Sequence, residues 1–118
     1  MVAEILDRLR ARHGACGIAA YADLSADMVL VASAARPTPR EVLDALCARA
    51  AAVLGAAPVA GCDAAVTAGP DGALGVFLRQ AEGDALLCLC DPEVELAAFL
   101  ADARACLARL AQPEGVAP

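Results

Sequence analysis

The run from Ala85 to Cys90 (ALLCLC) is the feature that most constrains the fold of this chain. It holds six consecutive apolar residues between a turn-forming stretch, Ala81 to Asp84, and the helix-starting pair Asp91-Pro92. The run is short and bounded by turn signals, which is typical of a strand. A strand that is apolar on both faces belongs in the middle of a sheet that is covered on both sides. The sequence therefore predicts a layered fold.

The N-terminal third of the chain predicts a helix followed by a hairpin. An apolar stripe at helical spacing indicates a first helix that ends near His13; its members are Val2, Ile5, Leu6 and Leu9. Two short apolar runs, Cys16 to Ala22 and Met28 to Ala34, then flank the turn-rich segment Asp23 to Asp27. This alternation predicts two antiparallel strands.

The segment TPRE predicts the start of a second helix. Thr38 and Glu41 have the spacing of a capping box, and Pro39 would occupy the first helical position. The apolar pattern continues to about Leu54, where Gly55 is a natural stop.

The remaining segments predict a second hairpin, the central strand and a last helix. Cys62 to Ala68 and Ala73 to Gln80 are joined by a Gly-Pro-Asp-Gly turn. Asp91 is expected to cap the last helix, with Pro92 at its first position. The apolar face of this helix is formed by Leu96, Phe99, Leu100, Ala103, Cys106, Leu107 and Leu110.

The predicted fold class is α+β, a five-stranded antiparallel sheet flanked by helices in the order α-β-β-α-β-β-β-α. We expect residues 1–111 to form a single domain and residues 112–118 a short C-terminal tail, since 118 residues suffice for one core.

Composition argues against several partners and locations. The net charge is −6, and every basic residue is an arginine, so a nucleic-acid or anionic-membrane surface is not expected. The longest uncharged stretch, Ala50 to Cys62, is shorter than the roughly 18 to 20 residues of a spanning helix. The N-terminus carries Glu4 and Asp7 where a signal peptide needs positive charge. We therefore expect a cytoplasmic protein with six reduced cysteines.

The residues that could carry chemistry favour structural roles. Cys88 and Cys90 lie two apart on a strand and so face one layer, where they could begin a thiol or metal site or simply fill the core. His13, the only histidine, lies at a helix end and suits the helix dipole. Asp23 and Asp27 fit a solvated turn. The chain lacks a phosphate-binding glycine loop and any lysine, so we expect no catalytic residues, cofactor or metal.

Element order and two stretches of sequence resemble the roadblock family, which includes dynein light chains and bacterial regulators of Ras-like GTPases. The stretches are DALLCLCDPE, from Asp84 to Glu93, and the hairpin GIAAYADLSADMVLVAS, from Gly17 to Ser33. The hairpin departs from the family at Ser25-Ala26-Asp27, where many members carry Asp-Gly. The resemblance implies a non-enzymatic homodimeric module that scaffolds or regulates a Ras-like GTPase, or a larger assembly, by positioning the GTPase's own groups.

The predicted dimer uses the second helix and the third strand. The third strand follows a helix and has one assured partner, so it is expected to be an unprotected sheet edge that pairs with its own copy. The small residues of the second helix permit close approach. The expected interface residues are Leu46, Cys47, Ala50, Ala51, Leu54, Ala64, Val66 and Ala68.

Two alternatives remain open at this stage, and the second helix carries an ambiguous surface. The alternatives are a small-molecule sensor of profilin-like fold, which needs a roomy pocket, and a thiol or metal protein using Cys88 and Cys90. Arg36, Arg40 and Arg49 form either a partner-docking surface or a solvated helix face.

Overall fold

The computed structural model describes residues 1–56, 62–80 and 83–111, which form three helices and five strands in the predicted order. The helices are α1 (Val2–Arg12), α2 (Arg40–Gly55) and α3 (Leu96–Leu110). The strands are β1 (Cys16–Asp23), β2 (Met28–Ala34), β3 (Ala64–Ala68), β4 (Leu74–Arg79) and β5 (Asp84–Cys90). The predicted tail, residues 112–118, lies outside the described residues.

All neighbouring strands of the sheet are antiparallel, and their order is β2-β1-β5-β4-β3. The strand β5 is therefore central, as its uninterrupted apolar run predicts. Residues 85–88 are completely buried, because helices cover both faces of the sheet at this point.

The helices divide the core into two layers. On one face, α1 and α3 pack over β1, β5 and β4 through a cluster that includes Leu6, Phe99 and Leu86. On the other face, α2 is the one helix among the described residues that covers the sheet, and Phe77 of β4 and Leu87 of β5 lie beneath it. The predicted α+β architecture is thus confirmed. No helix within the described ranges is long and apolar enough to cross a membrane.

Two helices begin later than the sequence predicts, because backbone and side-chain groups find other partners. The Thr38 hydroxyl donates to the carbonyl of Arg36 at 3.0 Å, so the capping box does not form and Pro39, in extended conformation, is the N-cap. The amide of Asp91 donates to the carbonyl of Ala15 at 2.8 Å. This bond extends the sheet through Asp91, and α3 begins only at Leu96.

The Gly-Pro-Asp-Gly segment forms the turn of the second hairpin, as the sequence predicts. Gly72 has a φ of 85°, which glycine adopts without strain, and the Asp71 carboxylate accepts a hydrogen bond from the amide of Ala73. The strand β3 starts at Ala64, so the predicted strand residues Cys62 and Asp63 precede it.

Candidate functional site

The strand β3 lies at one edge of the sheet, and its free backbone groups belong to three residues. Asp63 accepts from the amide of Arg79, and Gly69 donates to Ala73, so in this register the odd-numbered residues bond to β4. In an antiparallel pair the intervening residues turn their amide and carbonyl groups outward. These residues are Ala64, Val66 and Ala68, the three that the sequence predicts for β3 in the dimer interface.

The opposite edge, β2, is disrupted in a way that β3 is not. Its register against β1 shifts between Tyr21 and Ala22, which leaves Leu30 as the extra residue of a β-bulge. Bulges on edge strands hinder pairing with another chain. The register of β3 against β4 is regular over its whole length, and Val66 is 40% exposed. Among the described residues, β3 is therefore the sheet edge that has a regular register and no strand paired on its outer side.

The predicted interface residues of α2 mostly face their own sheet. Leu46, Cys47, Ala50 and Leu54 are at most 6% exposed, packed over β1, β5 and β4. Ala51 is half-buried. The outward face of the helix instead carries the exposed alanines Ala45, Ala48 and Ala52 at a spacing of three and four residues. Any second chain that approached α2 would meet this outward face.

Arg49 connects α2 to β3 and is not a free surface charge. Its guanidinium donates to the hydroxyl of Thr67 at 2.7 Å and lies 5.9 Å from the centre of the Phe77 ring. Gly75 makes this arrangement possible, since a Cβ there would lie 2.8 Å from the Phe77 ring and 2.9 Å from the Thr67 hydroxyl. These contacts hold the helix over the edge strand.

Arg79, which the sequence analysis did not single out, fixes the end of α2. It donates to the carbonyl of Leu54 from Nη1 and to that of Cys62 from Nε, both at 2.9 Å. One of the last carbonyls of the helix is thereby satisfied.

Arg36 and Arg40, the other two arginines of the predicted surface, are both exposed. Arg40 forms a salt bridge with Asp44 at 3.3 Å on the solvated side of α2.

Three cysteines meet on the α1/α3 face of the sheet. A bulge at Gly17 separates Cys16 from Ile18, so Cys16 faces the same layer as its cross-strand partner Cys90 and the nearby Cys88. Cys16 is buried, with 2% of its surface exposed. Within the described ranges no group of three histidine, cysteine or acidic side chains is arranged to hold a metal ion.

In the cysteine cluster, the Cys16 thiol donates a hydrogen bond to the carbonyl of Ile18 at 3.3 Å, and its sulfur lies beside the thiols of Cys88 and Cys90. Hydrogen bonds from Cys88 and Cys90 lower the pKa of Cys16 well below its ordinary value. The same bonds, together with burial, raise the pKa values of Cys88 and Cys90. Burial also raises the pKa of Cys106 to about 11. Donor thiols with raised pKa values stay protonated at neutral pH, which suits a packing role.

Native thiol titration is expected to modify one cysteine rapidly. Cys62 is exposed and the other five are buried, so reagent access separates them even though the Cys16 pKa is lowered. A Cys62→Ser variant is expected to lose the rapid phase, and unfolding in denaturant should release all remaining thiols. Rapid reaction of several thiols in the folded protein would contradict the buried placement.

His13 joins α1 to α3. Its Nε2 lies 2.7 Å from Asp102 Oδ2, and its ring meets the Phe99 ring edge-on at 5.1 Å. The imidazole therefore has a structural partner in Asp102. Asp23 caps its own turn by accepting from the amide and hydroxyl of Ser25, as predicted for a turn residue.

Two clefts among the described residues exceed the size at which a small-molecule site becomes plausible, and both open to solvent. One, of about 590 Å³, lies at the end of the sheet between the loop after β2, Asp71 and Asp91. The other, of about 470 Å³, lies between α1 and α3. Neither is an enclosed chamber between the sheet and a helix, which is the arrangement that the sensor alternative needs.

The architecture, an antiparallel sheet of five strands with two helices on one face and one on the other, is shared with three solved structures. A Roadblock/LC7 domain from Streptomyces avermitilis has a TM-score of 0.74 and 16% identity, covering 92% of each chain. An MglB described as having a tetrameric arrangement matches with a TM-score of 0.74 and 20% identity. The gliding protein MglB from Thermus thermophilus matches with a TM-score of 0.73 and 20% identity. Both MglB matches cover 93% of this chain and 85% of the other.

The chain therefore has the fold of Roadblock/LC7 domains, and the roadblock resemblance seen in the sequence is confirmed for the fold. No family model and no curated protein matches the sequence.

Proposed function

We propose that this chain is a non-catalytic interaction module of the roadblock family that works as a homodimer. The observation that carries the proposal is the regular edge strand β3, which has no outer partner strand among the described residues, on a roadblock fold. An open edge exposes unsatisfied amide and carbonyl groups, and pairing with a second copy satisfies them. We place the module in the cytoplasm of a bacterium, in keeping with its reduced cysteines and the bacterial sources of two similar structures.

The backbone register favours a two-fold axis at Val66. With the axis there, Val66 exchanges both of its hydrogen bonds with Val66 of the second copy, and Ala64 lies opposite Ala68. The two sheets then form one continuous sheet that runs across both chains. A two-fold interface uses the same patch on both chains, as this pairing does.

The helix α2 contributes to this dimer through its outward face. Because Leu46, Cys47, Ala50 and Leu54 already pack on their own sheet, they support the helix without offering surface to a second copy. The half-buried Ala51 and the exposed alanines Ala45, Ala48 and Ala52 are small enough for two helices to approach closely across the axis. A stable contact of this kind buries at least about 1,000 Å² in total.

The proposed partner is a small Ras-like GTPase, alone or within a larger assembly. This part rests on the family resemblance: roadblock proteins include regulators of such GTPases, and MglB has the same fold as this chain. The module would act by positioning groups that belong to the GTPase. It would bind neither nucleic acid nor a membrane, in line with its net charge of −6.

Light scattering and a binding titration test the two parts of this proposal separately. At micromolar concentration the chain is expected to have twice the monomer mass of 11.8 kDa, and a measured mass equal to that of the monomer would refute the dimer. The titration uses a Ras-like GTPase from the same genome, loaded with GTP or GDP. We expect saturable binding that differs between the two nucleotide states; equal absence of binding in both states by every such GTPase would refute the partner and leave the dimer intact.

A further inference from the structure

The groove between α1 and α3 is lined by two matching helical stripes. On α1 the lining residues are 5, 8, 9, 11 and 12, and on α3 they are 102, 105, 106 and 109, so both stripes contain residues at intervals of three, four and seven. The exposed apolar surface of the groove comes from Ile5, Ala11 and Ala105, and the buried side chains of Leu9 and Cys106 lie beneath it as part of the core. Formed by the described residues, the groove has a volume of about 470 Å³ and is open to solvent.

The rim of this groove is basic, although the protein is acidic. Arg8, Arg12 and Arg109 border the groove, and all three are exposed. Together α1 and α3 carry five of the nine arginines and only three of the fifteen acidic residues. The charge on this pair of helices is therefore opposite in sign to that of the whole chain, which is −6.

The one acidic residue of the groove is already engaged. Asp102 lies 2.7 Å from His13 Nε2 and 3.6 Å from Arg12 Nε, and its side chain is 31% exposed. Asp102 already interacts with these neighbours, so the guanidinium groups of Arg8 and Arg109 remain available to bind another molecule. In the part of the chain that the structure describes, neither of these two arginines forms a salt bridge.

We propose that the groove between α1 and α3 is a docking site for an acidic amphipathic helix of a partner protein. A third helix laid along the two stripes would bury its apolar face on Ile5, Ala11 and Ala105, in the helix-in-groove mode of recognition. Its acidic flanks would meet Arg8 on one side and Arg109 on the other. The eleven residues of α1 give the groove a length of roughly 16 Å, which matches about three turns of the docked helix.

The apolar surface of the groove favours a peptide over a nucleic acid. A nucleic acid is held through its phosphates by a basic surface and gains little from an aliphatic one. Arginines at the rim with aliphatic residues between them instead match a helix that is apolar on one side and acidic on both flanks. This surface is separate from the β3 edge, which lies at the far side of the sheet beyond β4, so it is independent of the proposed dimer.

Two synthetic helical peptides, each four turns long, test the proposal. Both carry leucines at intervals of three and four; one has glutamates at the flanking positions and its twin has lysines. Fluorescence anisotropy against the full chain is expected to show saturable binding of the acidic peptide, at least about ten-fold tighter than the basic twin at low salt. Raising the salt concentration should weaken binding of the acidic peptide and reduce the difference in affinity between the two peptides.

Charge-reversed variants locate the site. Arg8→Glu and Arg109→Glu are each expected to weaken binding of the acidic peptide about five-fold or more. Arg36→Glu makes the same change in net charge at an exposed position outside the groove and should change the affinity less than about two-fold. Ile5→Gln tests the apolar surface of the groove and should weaken the binding of both peptides. Circular dichroism and thermal melting establish that each variant is folded, and Arg8→Lys and Arg109→Lys should retain binding.

Several outcomes would overturn the proposal. These are equal binding of the two peptides, equal loss in Arg36→Glu and Arg109→Glu, absence of binding by either peptide at millimolar concentration, and tighter binding of a short single-stranded oligonucleotide than of the acidic peptide. The last outcome would identify the groove as a phosphate-binding surface.

Discussion

A Val66→Pro variant is expected to be a folded monomer with a mass near 11.8 kDa, under conditions where the unmodified chain is a dimer. Val66 occupies the middle of β3, and its amide points away from β4. Proline at this position removes the amide that the second copy needs and leaves the bonds between β3 and β4 in place. Proline is tolerated on edge strands when the lost amide faces solvent.

The expected loss of affinity follows from the symmetry of the contact. Because a two-fold axis at Val66 brings both copies of the substitution into the interface, two hydrogen bonds are lost. Two carbonyl groups are then left without a donor in the interface. Each such group costs about 1–3 kcal/mol, and the dissociation constant should rise by a factor on the order of 10² or more.

Val66→Thr is the matched control for this experiment, because threonine keeps both the amide and the branched side chain. This variant is expected to remain a dimer by light scattering, and circular dichroism should show the same sheet content in both variants. A Val66→Pro chain that still has twice the monomer mass would exclude β3 pairing, although a dimer formed through another surface would remain.

Phe77→Ala is expected to destabilise the fold by about 3–5 kcal/mol. Phe77 is completely buried beneath α2, where it pairs with Leu87 across the sheet and contacts the guanidinium of Arg49. Its removal leaves a cavity in the only layer that holds α2 to the sheet within the described residues. Since small domains are stable by about 5–15 kcal/mol, the loss is a large share of the total.

Urea unfolding measures this loss, with both proteins at the same concentration because dimer formation adds to apparent stability. Leu30→Ala provides the control: Leu30 is 49% exposed at the β2 bulge, and its replacement is expected to change the free energy of unfolding by less than about 0.5 kcal/mol. Equal losses in the two variants would show that Phe77 does not anchor α2.

The sequence alone determined the architecture because the relevant signals are local. The apolar run from Ala85 to Cys90, bounded by turns, can only be accommodated in the middle of a covered sheet, and β5 is central. The position of β3 as an edge also followed from its neighbours in the chain. The sequence also placed Ala64, Val66 and Ala68 in the predicted dimer interface, whereas the outward direction of their backbone groups came from the register of β3 against β4 in the structure.

Tertiary structure alone decided what covers each apolar face. Helical periodicity shows that α2 has an apolar stripe, but the same stripe could pack against a second copy or against its own sheet. In the structure it packs against the sheet through Leu46, Cys47, Ala50 and Leu54. Gly17 inside the predicted first strand is a residue that often marks a bulge, but only the structure shows that the bulge turns Cys16 toward Cys88 and Cys90. The groove between α1 and α3 joins residues from opposite ends of the chain, so its basic rim exists only once the sheet has brought the two helices side by side.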